Sequence, residues 1–163
     1  MLEETQTNVI NLSTAGIKFG YAVETTAGTR PTTEYKALIG MKSIPELNPS
    51  PETIDVTTLD ATEYKEYIEG LKDLGGALGF TANFTQVFYD QWKALMTAYN
   101  TAKSSGKSVW FTVYIPGISD AVFFKGTPAN LGVPAAEVGN VLETTAYITP
   151  TNAPEFFTAV VPA

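Results

Sequence analysis

Apolar positions alternate with polar ones along most of this chain, and the alternation predicts strands. In 77–85, Leu78, Phe80, Ala82 and Phe84 fall on one face and Gly79, Thr81, Asn83 and Thr85 on the other, the period of a half-buried strand. Residues 108–115 repeat the pattern, with Val109, Phe111, Val113 and Ile115 opposite Trp110, Thr112 and Tyr114. Pro116 and Gly117 then turn the chain into a partner strand over 121–125, which predicts a hairpin. Further strands are expected at 17–23, 37–44, 54–59 and 138–149, the last stopped by Pro150.

One segment breaks the two-residue period. Over 86–103, Phe88, Trp92, Leu95, Met96 and Tyr99 recur at helical spacing, with Asp90, Gln91, Lys93, Thr97 and Asn100 between them. That stripe predicts an amphipathic helix. Thr85 is placed to cap its start, and Gly106 lies just past its end. The order strands, helix, strands predicts a mainly β fold: a β-sandwich or barrel with a single helix packed on it. Residues 1–15 read as an N-terminal arm, 16–150 as the domain, and 151–163, with Pro154 and Pro162, as an extended C-terminal arm.

Residues 60–76 (DATEYKEYIEGLKDLGG) fit neither period. Gly70, Gly75 and Gly76 interrupt a helix, so the segment reads as an elaborated inter-strand loop. Tyr64, Tyr67, Ile68, Leu71 and Leu74 group within it between Glu63, Glu66, Glu69 and Asp73. A surface loop has little reason to carry five large apolar side chains unless something covers them. These five are the candidate inter-subunit contacts, and the segment is the candidate assembly loop.

Composition narrows the chemistry. Of 163 residues only 17% are charged and 44% are hydrophobic, against about 25% charged in an ordinary soluble domain, which favours self-association. The absence of cysteine and histidine removes thiolate and imidazole catalysis and the commonest metal ligands. A carboxylate pair can run glycoside chemistry, but the acids fall mostly in loops and arms, with only Asp55, Asp90 and Glu143 inside apolar stretches. Asp55, Asp60 and Glu63 lack the spacing of a calcium loop. The glycines match no dinucleotide or phosphate-binding loop. No catalytic residue, cofactor or metal site is therefore expected, and no enzymatic activity. Trp110 and Tyr114 offer an aromatic platform of the kind carbohydrate-binding modules use, but packing under the helix is the favoured reading. A net charge of −7 disfavours adhesion to nucleic acid. The first residues lack the cationic start of a secretory signal, and no apolar run is long enough to span a membrane.

Several features in order resemble the major tail (tail tube) proteins of long-tailed bacteriophages. They are an opening strand Gly16-Ile17-Lys18-Phe19-Gly20-Tyr21-Ala22 leading to a turn with Gly28 and Pro31, a strand pair around Ile44 and Ile54, and the charged-aromatic stretch from Tyr64 to Asp73. A strand entering a helix with Trp92 and Leu95, the Gly126 turn and a threonine-rich strand ending at Pro150 complete the series. The resemblance covers about 16–150. It implies a structural subunit forming hexameric rings that stack into a hollow tube, with tape-measure and tail terminator proteins as partners and DNA passing through during ejection without specific binding. It also implies a virion location, after synthesis in the host cytoplasm. The tube protein of a contractile injection machine is the nearer alternative, and a β-sandwich adhesin or carbohydrate-binding module the more distant one.

Overall fold

A computed structural model describes residues 11–163. Ten strands and one helix follow in the order β1 (Lys18–Val23), β2 (Lys36–Ala37), β3 (Met41–Ser43), β4 (Ser50–Asp55), β5 (Tyr67–Asp73), β6 (Leu78–Asn83), α1 (Gln86–Ser104), β7 (Val109–Tyr114), β8 (Asp120–Pro128), β9 (Glu143–Pro150) and β10 (Glu155–Thr158). Eight strands form one antiparallel sheet in the order β2-β1-β7-β8-β9-β6-β3, with β10 also on β8. The sheet curls into a half-barrel, and the mainly β expectation with one packed helix holds.

The helix forms where its stripe predicts. Thr85 Oγ1 accepts a hydrogen bond from the Phe88 N–H at 3.2 Å, satisfying one of the amide groups a helix start leaves free. Phe88, Trp92, Leu95 and Ala102 are buried and pack with Phe19, Phe80, Phe111, Phe124 and Ile148 on one side of the sheet. Phe111 stacks on Phe19 and Phe124, at 5.8 and 5.5 Å between ring centroids. The indole N–H of Trp92 donates to the Ala129 carbonyl at 3.0 Å, tying the helix to the segment after β8.

The other side of β7 and β8 is covered as well. Trp110, Ala121, Phe123, Ala22 and Tyr35 form a second cluster there with Phe157, Ala159 and Val160. Trp110 thus packs on the side of the sheet away from the helix, not under it, and at 8% exposure it is no open platform. The cover is the C-terminal segment. Instead of running free as an extended arm, residues 155–158 pair with Asp120–Phe123 of β8. Ala163 then donates its N–H to Tyr35 and accepts from Ala37, at 3.0 and 2.9 Å. Pro162 presses on β1 so closely that a Cβ at Gly20 would lie 2.7 Å from its Cβ; only glycine fits under it.

Other boundaries move for local reasons. The strand expected over 37–44 is two short ones, because Leu38 turns into the core and the Ile39 N–H bonds the Gln91 side chain at 2.8 Å. The strand expected over 54–59 lies earlier, at Ser50–Asp55. Glu143 starts the strand expected from 138, and the residues before it form a long exposed loop. The proposed arm at 1–15 falls largely outside the described residues.

Candidate assembly surface

Residues 60–76 are not simply a loop. Their second half is β5, which pairs antiparallel with β4 as a separate two-stranded ribbon. The register sets Asp55 against Tyr67, Ile54 against Ile68 and Thr53 against Glu69, then shifts and sets Pro51 against Lys72. Every β4 residue is exposed, as is every β5 residue except the half-buried Gly70. The connecting turn is held by short-range bonds: Asp55 Oδ1 accepts from the Thr57 N–H, and the Glu66 N–H donates to Thr57 Oγ1 at 2.8 Å. Its hydrogen bonds from Thr57 hold the Asp55 carboxyl below the usual aspartate range, and a bond from the Thr58 hydroxyl does the same for Asp60.

Four of the five candidate contact residues stand uncovered on this element. Tyr64 is 82% exposed, Leu71 86%, Tyr67 54% and Ile68 52%. Leu74 separates from them: it is half-buried and lines a cleft at the ribbon's base with Leu78, Pro150 and Pro154. Sequence reading missed three apolar side chains here, Ile54, Val56 and Leu59, all exposed in the same ribbon and turn. The signal for Ile54 lay in its place in a presumed strand, and its exposure was invisible until that strand proved to have no sheet behind it. A two-stranded ribbon is marginal on its own in water, and this one leaves apolar side chains wet.

A second set of features lies at the other end of the sheet, in the loop before β2. Arg30, the chain's sole arginine, is laid between two rings, its guanidinium carbon 4.7 Å from the Phe123 centroid and 4.1 Å from that of Phe157. Nη1 donates to the Pro31 carbonyl at 3.4 Å. The buried Glu24 pins the same loop by accepting from the backbone N–H groups of Gly28 and Ser108. Burial pushes the Tyr35 phenol up to about 12, against a smaller lowering by Arg30; its hydroxyl donates to the Pro31 carbonyl at 2.9 Å. This cluster fastens β10 to the body. The three acids within apolar stretches have separate partners or places: Asp90 Oδ1 accepts from the Gln86 amide on the helix, Glu143 pairs with Lys42, and Asp55 sits in the ribbon. No group of acids among the described residues could hold a metal ion, and no described helix is long and apolar enough to cross a membrane.

Chains of three solved structures share this arrangement. A chain of the cryo-EM structure of the anti-feeding prophage baseplate, 6-fold symmetrised, matches with a TM-score of 0.62 at 10% identity, covering 94% of this chain and 98% of that one. A chain of the native gene transfer agent virion matches with 0.51 at 16% identity, over 76% and 89%. A chain from the tail of an empty gene transfer agent particle, refined helically with C6 symmetry, matches with 0.52 at 15%, over 78% and 89%. The chain shares their fold. No protein-family profile and no curated protein sequence matches it.

Proposed function

We propose that this protein is a structural subunit of a phage-tail-like tube. Copies join into rings, six to a ring; rings stack, and the channel so formed carries DNA during ejection, with a tape-measure protein inside during assembly and a terminator protein capping the end. The observation that carries this reading is the β4–β5 ribbon, a folded element whose apolar side chains find no cover among the described residues. Burying such a side chain against a neighbour is worth roughly 1.5–3 kcal/mol before ordering costs. The near-full-length likeness to a baseplate chain and the likeness to a tail chain support it. So does the sparse charge, with a net −7 that keeps a polyanion from adhering.

Replacing Tyr67, Ile68 and Leu71 together with Ser tests the reading. The variant is expected to stay a folded monomer with a nearly unchanged melting curve, while the parent forms polymers at high concentration by light scattering and negative-stain microscopy. A variant that still polymerises normally sinks the proposal, and one that unfolds assigns the ribbon to the fold. A second reading, a subunit of the baseplate end, is favoured by the fuller coverage of the baseplate chain. It expects assembly to stop at single rings, whereas the tube reading expects growth without a fixed length.

A further inference from the structure

Resting on that assembly reading, we propose that the ribbon docks through one face only, formed by Ile54, Ile68 and Leu71, against a second copy of this chain, and that a bulge in β5 creates the face. In a regular strand Ile68 and Leu71, three residues apart, point to opposite sides. Here the ladder runs from the pair Thr53–Glu69 to the pair Pro51–Lys72. β4 advances two residues while β5 advances three, so Gly70 and Leu71 together oppose Glu52.

Beyond the extra residue the sides of β5 are exchanged. Lys72 arrives on the side of Glu69, and the two form an ion pair at 3.4 Å. A Cβ on Gly70 would lie 3.3 Å from both Glu52 Cβ and Ile54 Cδ1, which sets those three residues on one side. Ile68, opposite Ile54, lies there too, and Leu71 shares the bulge with Gly70. The outcome is an amphipathic ribbon. Ile54, Ile68 and Leu71, 46%, 52% and 86% exposed, share one face with Glu52; Thr53, Asp55, Tyr67, Glu69 and Lys72 occupy the other.

Docking by face rather than by edge follows from the backbone. Pro51 has no N–H to offer along the β4 edge, and the bulge interrupts the β5 edge, two devices that discourage strand addition. The chain itself carries a surface that suits the apolar face. The loop between β8 and β9 exposes Val133 at 99%, Val138 at 105% and Val141 at 69%, and Glu137 is its one charged residue. Ribbon and loop are different patches, so a contact between them in neighbouring copies is heterologous and repeats around a ring or along a filament. Three aliphatic side chains cover on the order of 200–300 Å², against ~800 Å² per partner in a stable pair. The contact therefore fails to hold a dimer and counts only when repeated.

The cysteine-free sequence allows a clean test by maleimide labelling of single-cysteine variants, in dilute subunit and in sedimented polymer. Ile68→Cys and Leu71→Cys probe the docking face, as does Glu52→Cys, which keeps all three apolar side chains in place. Glu69→Cys and Lys72→Cys probe the opposite face. All five are expected to react in the subunit. In the polymer, positions 52, 68 and 71 should label at least tenfold more slowly, while 69 and 72 stay as reactive as before. Protection of both faces means the ribbon is lodged between two surfaces, and protection of 69 and 72 alone means the wrong face was chosen; either overturns the inference and leaves the assembly reading standing. No protection anywhere, or no polymer at any concentration, overturns both.

Discussion

Replacing Arg30 with Met keeps most of the aliphatic stem and removes the guanidinium from between Phe123 and Phe157. Cation–π contacts are worth about 0.5–1 kcal/mol at exposed sites and ~2 where desolvated. Arg30 is half-buried and meets two rings, at 4.7 and 4.1 Å, so the change should cost about 1–3 kcal/mol. Among the described residues Arg30 forms no ion pair, so no stranded carboxylate adds to the loss. Urea denaturation of Arg30→Met, Phe157→Leu and the double variant completes a cycle in which the coupling should exceed ~0.5 kcal/mol. Hydrogen exchange supplies the local readout: amides of Glu155–Thr158 should lose protection before those of β7, because β10 is what the arginine fastens. A coupling indistinguishable from zero, or a uniform loss of protection across the sheet, would refute the latch and reduce Arg30 to a surface side chain resting on phenyl rings.

Three further outcomes are expected. Leu95→Ala should destabilise the fold by about 2–5 kcal/mol in equilibrium denaturation, since Leu95 is fully buried under the sheet; a cost under ~0.5 kcal/mol would mean the helix stripe faces something other than this core. The Tyr35 phenol, raised from 10.0 to about 12, keeps its proton longer in the folded chain than in the unfolded one, so its stabilisation is whole below pH 10 and is lost as pH climbs towards 12; Tyr35→Phe should flatten the fall in melting temperature over that window, and an unchanged slope would contradict the assignment. Polymer at physiological salt should leave duplex DNA unshifted in a gel, and salt-sensitive binding would show that the net charge of −7 does not describe the surface DNA meets.

The helix was legible residue by residue because its stripe, its cap and its stop all state one period. The central strands were legible too, although alternation alone did not disclose that both faces of β7 are covered. That cover arrives from the C-terminal residues, whose prolines argue locally for an arm. Only the tertiary fit of Pro162 on Gly20 and of Phe157 on Arg30 overrides the local signal. The ribbon misled for a more specific reason. A bulge placed at Gly70 and Leu71 turns the apolar spacing of a strand from two into three, so Ile68 and Leu71 read as neither strand nor sound helix. The apolar character of the segment was visible in the sequence; its two-stranded form was not.

The ribbon also has a place in time. Its strands join within 24 residues of sequence, Ser50 to Asp73, and such a hairpin closes in about 1–10 μs. β1 must wait for β7, its partner across Lys18 and Tyr114, and at ~5–20 residues per second of synthesis that wait is several seconds. The ribbon's pairing is thus local enough to form and break repeatedly while the body behind it is still an open chain, since two strands alone hold only marginally in water. Under the proposed assembly, neighbouring nascent copies on one message expose their ribbons before any has a complete sheet to offer, and a contact too weak to hold a pair would keep unfinished copies from clumping.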